Sequence, residues 1–194
     1  MNPGIETFFR TVLQLNDDDL ARQLAEIASL VQVPKNTVFI HAGQTCEMIS
    51  FLLNGVCMSC RPSPSGQPTP AMITWRSGEV VMPADLSVLK FTESPLDYTA
   101  LVSTTLVQLP LMEGGRLLWS SPAGAQLCRG IAQNVMHKQA VLRNILYEKS
   151  ARGRVDMLRR SFPDFPEQIT DKVVASLLGI SACTLSRIKT ADAI

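Results

Sequence analysis

Hydrophobic residues near the start of the chain recur every three to five positions, which is the spacing that buries one side of an α-helix. This pattern predicts helix over residues 5–30. It rests on seven positions: Phe8, Val12, Leu15, Leu20, Leu24, Ile27 and Leu30. A polar cluster, Asn-Asp-Asp-Asp at 16–19, interrupts the pattern. Because Asp and Asn favour the N-cap and first turn of a helix, this cluster predicts the start of a second helix.

Between Val31 and about Leu111 the pattern changes to short runs rich in Val, Ile, Thr and Phe, separated by turn residues. Such runs predict the strands of an antiparallel sandwich or barrel. They occupy 31–33, 37–43, 48–60, 70–81, 97–103 and 105–111. Asn54-Gly55 resembles a tight-turn dipeptide. The proline-rich segment 62–70 predicts a long hairpin tip, because Pro cannot donate to a central ladder.

A long helix is predicted after Ser121, which together with Ser120 provides a cap and is followed by Pro122 in the first turn. Over residues 123–147, apolar positions recur at spacings of four and three, which indicates a coiled-coil seam about 37 Å long with one polar member. The seam residues are Leu127, Ile131, Val135, Lys138, Leu142 and Ile145. Such a seam packs either against its own domain or against a second copy. We favour a symmetric dimer.

The C-terminal residues have the pattern of a helix-turn-helix over 170–189. Thr170 is suited to cap the first helix, Gly179 lies where the chain must turn with positive φ, and Ser181 is suited to cap the second helix. With Leu185 pointing inward, the opposite face of the second helix can lie in the major groove of DNA. The predicted DNA contacts are Thr170, Lys172, Ser181, Ala182, Cys183, Thr184, Ser186, Arg187 and Lys189.

The distribution of charge favours this interpretation. The formal net charge is only +1, but residues 149–194 hold eight Lys and Arg against five Asp and Glu. A basic C-terminal segment suits contact with phosphates. No apolar run reaches the roughly 18 residues that a membrane span needs, and the N-terminus lacks the features of a secretory signal. We therefore expect a cytoplasmic protein with no membrane contact.

The residues that could carry catalysis or bind a metal are scattered. Five cysteines are an odd number, which argues against a disulfide framework and favours reduced, mostly buried thiols. Cys57 and Cys60 form a C-x-x-C without a second pair, and neither His41 nor His137 has a partner at metal-ligand spacing. No nucleophile–base set or phosphate loop is present. From the sequence we therefore expect a protein that binds no cofactor and is not an enzyme.

The motifs described above resemble the cyclic-AMP receptor protein / fumarate-nitrate reductase regulator (CRP/FNR) family of bacterial transcription factors, over about residues 20–189. The most characteristic match is ASLLGISACTLSRI at 175–188. Others are PKNTVFIHAGQ at 34–44, FLLNG at 51–55, SGEVV at 77–81 and SARGRVDMLRRSF at 150–162. The resemblance implies an α+β fold with three parts. These are an N-terminal β-roll related to cyclic-nucleotide-binding domains (1–118), a dimerisation helix (119–148) and a C-terminal winged helix (149–194).

The chain departs from the family where nucleotide-binding members hold their ligand. In those members a Glu binds the ribose hydroxyl and an Arg neutralises the phosphate. The corresponding residues here, which form a candidate ligand pocket, are Ala84, Asp85, Leu86, Ser87, Tyr98 and Thr99. Tyr98 occupies the Arg position, so a buried cyclic phosphodiester would have no cation to pair with. We therefore expect cyclic AMP not to be the ligand.

The sequence also argues against two further branches of the family, the oxygen-sensing and the haem-sensing regulators. No Cys precedes Cys46, which argues against the N-terminal iron–sulfur cluster of the oxygen-sensing branch, and no distinctive His suggests haem.

The DNA-binding helix, called the reader below, also departs from the family. Ala182 and Cys183 stand where family members often carry Arg and Glu. The sequence ends at Ile194, about where the family's wing begins, so we expect weaker and more salt-sensitive DNA binding. Thiol oxidation at Cys183, near a helix N-terminus, is a subsidiary hypothesis.

Together these patterns predict a homodimeric regulator that binds double-stranded DNA and is not controlled by cyclic AMP, with RNA polymerase as a further candidate partner. Two alternatives stay open. One is a degenerate regulator that acts through protein–protein contact, and the other is a sensor of a different small molecule.

Overall fold

The N-terminal residues form two helical segments that pack against the strands following them. The computed structural model describes residues 3–62, 69–81 and 91–192. Helix α1 (Pro3–Thr7) continues into a π-helical turn (Phe8–Val12), and α2 spans Asp18–Ile27. The predicted start of the second helix is confirmed, because the Asp17 carboxylate accepts a hydrogen bond from the Leu20 amide at 3.0 Å. The helix ends earlier than predicted, since Leu30 already belongs to a strand.

Nine strands follow in the described part of the chain, and all their pairings are antiparallel. They are β1 (Ser29–Val33), β2 (Val38–Ile40), β3 (Thr45–Cys46), β4 (Met48–Asn54), β5 (Cys57–Arg61), β6 (Thr69–Thr74), β7 (Thr92–Glu93), β8 (Asp97–Ala100) and β9 (Thr104–Pro110). They form three sheets in the orders β1-β9-β4, β2-β8-β5-β6 and β3-β7. Residues 78–81 extend the first sheet, since the Val81 amide donates to the Ser50 carbonyl and Leu52 exchanges hydrogen bonds with Gly78 and Glu79.

Asn54-Gly55 is not the hairpin turn that the sequence suggests. The strands on either side of it, β4 and β5, belong to different sheets, so the dipeptide is a corner at which the chain changes sheet. Gly55 has φ +114°, and a Cβ there would lie 2.7 Å from the Thr104 Cα. Close approach to β9 therefore explains the glycine. The hairpin predicted at 62–70 agrees with the pairing of Arg61 with Thr69, although residues 63–68 lie outside the described ranges.

The C-terminal half is helical. Its helices are α3 (Leu111–Ser120), α4 (Pro122–Tyr147), α5 (Ala151–Ser161), α6 (Asp171–Leu177) and α7 (Ala182–Asp192). Helix α4 has 26 residues and starts as predicted, with the Ser121 hydroxyl accepting from the Gly124 amide at 3.1 Å. Helix α3 was not foreseen from the sequence. No single helix of the described ranges is long and apolar enough to cross a membrane, and α6 and α7 pass that test only when taken together across a bend of 105°.

Three apolar clusters hold these elements together. One lies between the N-terminal helices, β4, β9 and the start of α4, and a second fills the interior of the roll around Leu52, Tyr98 and Leu106. The third joins the outer face of β5 and β6 to the second half of α4 and to α5–α7. Through this third cluster the C-terminal helices pack directly against the strands of the same chain.

The predicted seam of α4 is buried inside the chain itself. Ile131, Lys138, Leu142 and Ile145 are buried, and Leu127 and Val135 are half-buried. Leu142 and Ile145 contribute to the third apolar cluster, so the helix uses this face for its own chain. A four-and-three spacing shows which face of a helix is covered but not what covers it. The packing alternative therefore describes Ile131, Leu142 and Ile145, while a dimer contact through the seam stays a prediction.

Candidate nucleic-acid interface

Helices α6 and α7 meet at a sharp corner whose conformation follows from its residues. The axes of the two helices are bent by 105°, within the range of DNA-binding helix-turn-helix motifs. Gly179 has φ +62°, as predicted, and the Ile180 amide donates to the Ala175 carbonyl at 2.9 Å to close the turn. Ala175 and Leu185 are buried at the contact between the helices, where a larger side chain at 175 would push them apart.

A residue of α5 that the sequence analysis did not single out also holds this corner. The Arg154 guanidinium donates to the Leu178 carbonyl at 2.9 Å and to the Glu148 carbonyl at 2.8 Å. It thereby ties the end of α6 to the end of α4. The sequence does not reveal this role, because both acceptors are backbone carbonyls and Leu178 lies 24 residues away along the chain.

The second helix of the motif begins at the predicted cap. The Ser181 hydroxyl accepts from the Thr184 amide at 3.0 Å and lies 2.8 Å from the Thr184 hydroxyl. Thr184 is half-buried by this contact, whereas Ala182 and Cys183 are exposed. The N-terminal turn of α7 therefore presents backbone amides and small side chains to solvent, an arrangement that favours an approaching phosphate.

The outer face of α7 carries few polar groups. Ser186 and Arg187 are exposed, and Arg187 is the long cation at its centre. Lys189 is also exposed, but its amino group forms an ion pair with Asp171 at the start of α6. Lys189 therefore joins the two helices of the motif, which reduces its availability for DNA.

The two remaining predicted contacts lie at the beginning of α6. Thr170 is the N-cap of α6, as predicted, but its side chain makes no capping hydrogen bond. Its carbonyl accepts from the Val173 and Val174 amides instead. Thr170 and Lys172 are both exposed. The structure thus leaves eight of the nine predicted contact residues exposed and half-buries Thr184.

The candidate ligand pocket of the roll is described only in part. Ala84, Asp85, Leu86 and Ser87 lie outside the described residues. Tyr98 points into the roll interior, where burial raises its pKa to about 12, and its ring lies 6.4 Å from that of Phe39. Tyr98 packs there against buried apolar side chains, among them Leu52 and Leu106.

The two cysteines of the C-x-x-C pair lie on opposite faces of the strand that carries them. Cys57 and Cys60 both lie in β5, and residues three apart on a strand point to opposite faces. Accordingly Cys57 belongs to the roll interior and Cys60 to the cluster facing the C-terminal helices. Burial raises the pKa of Cys57 to about 12 and that of Cys60 to about 11. Four cysteines are buried free thiols, and Cys183 is exposed.

Solved structures that are distant in sequence share this fold. FixK2 from Bradyrhizobium japonicum has a TM-score of 0.72 at 13% identity, over 85% of this chain and 84% of that one. The c-di-GMP responsive global regulator CLP of Xanthomonas campestris has a TM-score of 0.70 at 14% identity, over 91% and 92%. A CooA variant from Carboxydothermus hydrogenoformans has a TM-score of 0.67 at 14% identity, over 86% and 76%.

The sequence matches no protein-family model and no curated protein. At identities this low, the likeness to solved structures shows the fold alone. That fold is the one implied by the CRP/FNR resemblance, an antiparallel β-roll followed by a long helix and a C-terminal helix-turn-helix, so the predicted fold class is confirmed.

Proposed function

We propose that the protein is a homodimeric, DNA-binding transcription regulator whose α7 helix reads the major groove. The observation that carries the proposal is the exposed face of α7 around Arg187, presented at a 105° corner that Arg154 and the Lys189–Asp171 pair hold in place. On this proposal, residues 1–118 form a sensor-like domain, 119–148 the dimerisation helix and 149–194 the reader. Contact with RNA polymerase stays a prediction.

The side chains of the reader divide into two roles. Arg187 has the reach and the paired donors to bind guanine O6 and N7, the commonest specific contact in the major groove. Ser186 and Lys172, together with the first turn of α7, suit phosphate contacts that position the helix. Because Ala182 and Cys183 offer little hydrogen bonding, we expect specificity to come from few base pairs and affinity to depend strongly on salt.

The dimer contact is best supported on the face of α4 beside its buried seam. Six residues recur on this face at spacings of four and three: Ala123, Leu127, Gly130, Asn134, His137 and Val141. They line a groove of about 570 Å³ whose opposite wall includes residues 12–14, Asn16 and residues 76–80. A second α4 lying along this groove would pack helix on helix, as in a two-stranded coiled coil. Four residues of the predicted seam also line this groove: Leu127, Ile131, Val135 and Lys138.

Gly130 offers a clean test of this contact. A Cβ added at 130 would meet no atom of the described residues within 4 Å, so Gly130→Glu should keep the protomer folded while placing a charge in the groove. Met136 lies on the opposite face of α4 and is 69% exposed, which makes Met136→Glu the matched control. In light scattering after size exclusion, we expect monomers from Gly130→Glu and dimers from Met136→Glu. The reverse pattern would place the dimer on the other face.

Independence from cyclic AMP is supported by Tyr98, a buried phenol that stands where nucleotide-binding members of the CRP/FNR family carry the phosphate-pairing Arg. A buried phosphodiester without a cation costs several kcal/mol, and every 1.4 kcal/mol weakens binding tenfold. Titration calorimetry with cyclic AMP should therefore show no binding at millimolar ligand. Saturable binding would overturn this part of the proposal.

The DNA-binding claim is tested with duplexes that the wild-type protein selects from a random pool. Replacing Arg187 by Ala should weaken binding by about 1–3 kcal/mol and relax the preference at one base pair of each half-site. Arg116 of α3 is likewise exposed, so Arg116→Ala controls for the loss of one positive charge. Equal affinities of the Arg187 and Arg116 variants at several salt concentrations would show that α7 is not the reader.

A further inference from the structure

The Trp75 indole lies where three parts of the chain meet. The Lys138 amino group of α4 is 3.6 Å from the centre of its ring. The rings of Phe162 and Phe165, which follow α5, contact it edge-on at centroid distances of 5.3 and 5.2 Å. Trp75 itself follows β6 of the roll. One aromatic side chain thus touches both the long helix and the segment that leads into the reader.

Directional polar contacts surround this ring. The Arg76 guanidinium donates to both oxygens of Asp164, at 2.6 Å from Nε and 2.5 Å from Nη2. The Trp75 indole N–H donates to the same carboxylate at 3.1 Å. Hydrogen bonds from Arg76, and secondarily from Trp75, hold the pKa of Asp164 well below its ordinary range. A bidentate Arg–carboxylate pair fixes the relative orientation of its two partners.

The Glu79 carboxylate connects these contacts to α4. One of its oxygens accepts from the backbone amides of Trp75 and Arg76, at 2.9 and 3.1 Å. The other accepts from the Lys138 amino group at 2.7 Å. The loop that carries Trp75 and Arg76 is therefore held against α4, while its outward side holds Asp164.

We propose that these residues act as a joint that positions the reader domain against α4 and the roll. The joint comprises Trp75, Arg76, Glu79, Lys138, Phe162 and Asp164. Since Phe162 and Asp164 lie between α5 and α6, fixing them fixes the helix-turn-helix. The third apolar cluster holds the same domains together but without directional preference, whereas the bidentate pair selects one orientation.

The joint orients the reader without covering it. With every contact of the joint in place, Ala182, Cys183, Ser186 and Arg187 are still exposed. In a two-fold dimer, two readers must enter major grooves about 34 Å apart, so a small change in domain angle moves both readers off their half-sites. We therefore expect the joint to raise the affinity for a duplex with two half-sites and to leave the affinity for a single half-site unchanged. In this respect the inference rests on the proposed function.

The test removes Asp164 and compares paired with single half-sites. Asp164→Ala should weaken binding to the paired site by at least about tenfold, because the gain from engaging two sites together, commonly 10²–10⁴, depends on geometry. Binding to a single half-site should change by less than about twofold. Asp156→Ala, which removes another ion-paired carboxylate of the same domain, should leave both affinities unchanged. Asp164→Glu, which keeps the charge, should recover most of the paired-site affinity.

A second readout does not depend on DNA. In a Trp119→Phe background, Trp75 is the sole tryptophan, and loss of its contacts should shift its emission to longer wavelength in Asp164→Ala and in Arg76→Met. A red shift with unchanged paired-site affinity would overturn the positioning role, and an unchanged emission would overturn the joint itself. If wild-type protein selected no duplex, the proposed function would fail, while the emission would still report whether the joint holds the domains.

Discussion

The Lys138 amine carries the most sharply testable consequence of this packing. Its side chain is 8% exposed, although Lys is rarely buried unless it is paired, as here with Glu79. Burial lowers the pKa of Lys138 from 10.5 to about 8, and the Glu79 carboxylate opposes that shift without cancelling it. The folded chain therefore gives up this proton at a lower pH than the unfolded chain does.

The sign of the effect on stability follows from proton binding. Between pH 8 and 10.5 the unfolded chain keeps a proton on Lys138 that the folded chain has lost, so the contribution of this residue to stability rises with pH across that window. The full shift corresponds to about 3 kcal/mol, of which about 2 kcal/mol falls between about pH 7.5 and about pH 9.5. Below that window the contribution is constant at its lower level.

The assay is urea unfolding of wild type and Lys138→Met at both pH values and at one protein concentration. Buried Cys57, Cys60 and Tyr98 have raised pKa values, which lower stability at alkaline pH, but they are present in both proteins and cancel in the difference. Relative to Lys138→Met, wild type should gain about 2 kcal/mol on going to about pH 9.5. Lys149→Met, at an exposed site, controls for the loss of a lysine as such. A difference that stayed flat or fell with pH would refute the reasoning.

Three further predictions concern the fold and the reader. Gly55→Ala should destabilise the protein by about 3 kcal/mol or more, because the added Cβ would press on Thr104. Gly43→Ala has open space around it and should cost only about 1 kcal/mol, because of its positive φ. Thermal unfolding measures both losses. Ser181→Ala should cost about 1 kcal/mol of stability, because the Ser181 hydroxyl caps α7. Thr170→Ala should cost close to nothing, because the Thr170 side chain makes no capping hydrogen bond. Similar losses for the two variants would contradict these roles. A thiol reagent should modify Cys183 rapidly and the four buried cysteines slowly, and rapid reaction of two or more thiols would contradict their burial.

Local features of the fold could be predicted from the sequence because their causes are local. Asp17, Ser121 and Ser181 cap helices through the hydrogen bonds expected of them, and Gly179 takes the positive φ that its corner requires. Alternating β-like runs correctly indicated antiparallel sheets. Thr170 shows the limit of this reasoning, because a suitable residue at an N-cap position still depends on its rotamer.

Features that depend on tertiary contacts could not be predicted in the same way. The seam of α4 was recognised, but its spacing does not say whether Leu142 and Ile145 meet a second chain or the C-terminal helices of the same one. Asn54-Gly55 looks the same in a hairpin and at a corner between sheets. Trp75 and Asp164 are far apart in sequence and belong to no motif, so only the folded chain brings them together.

Selection of bound duplexes from a random pool by the wild-type protein decides whether the protein binds DNA as a dimer. We expect a two-fold symmetric site with half-site centres about one helical turn, 10–10.5 base pairs, apart, and binding that weakens steeply as salt is raised. Recovery of no enriched sequence, or of an asymmetric site bound equally well by Arg187→Ala, would contradict this expectation.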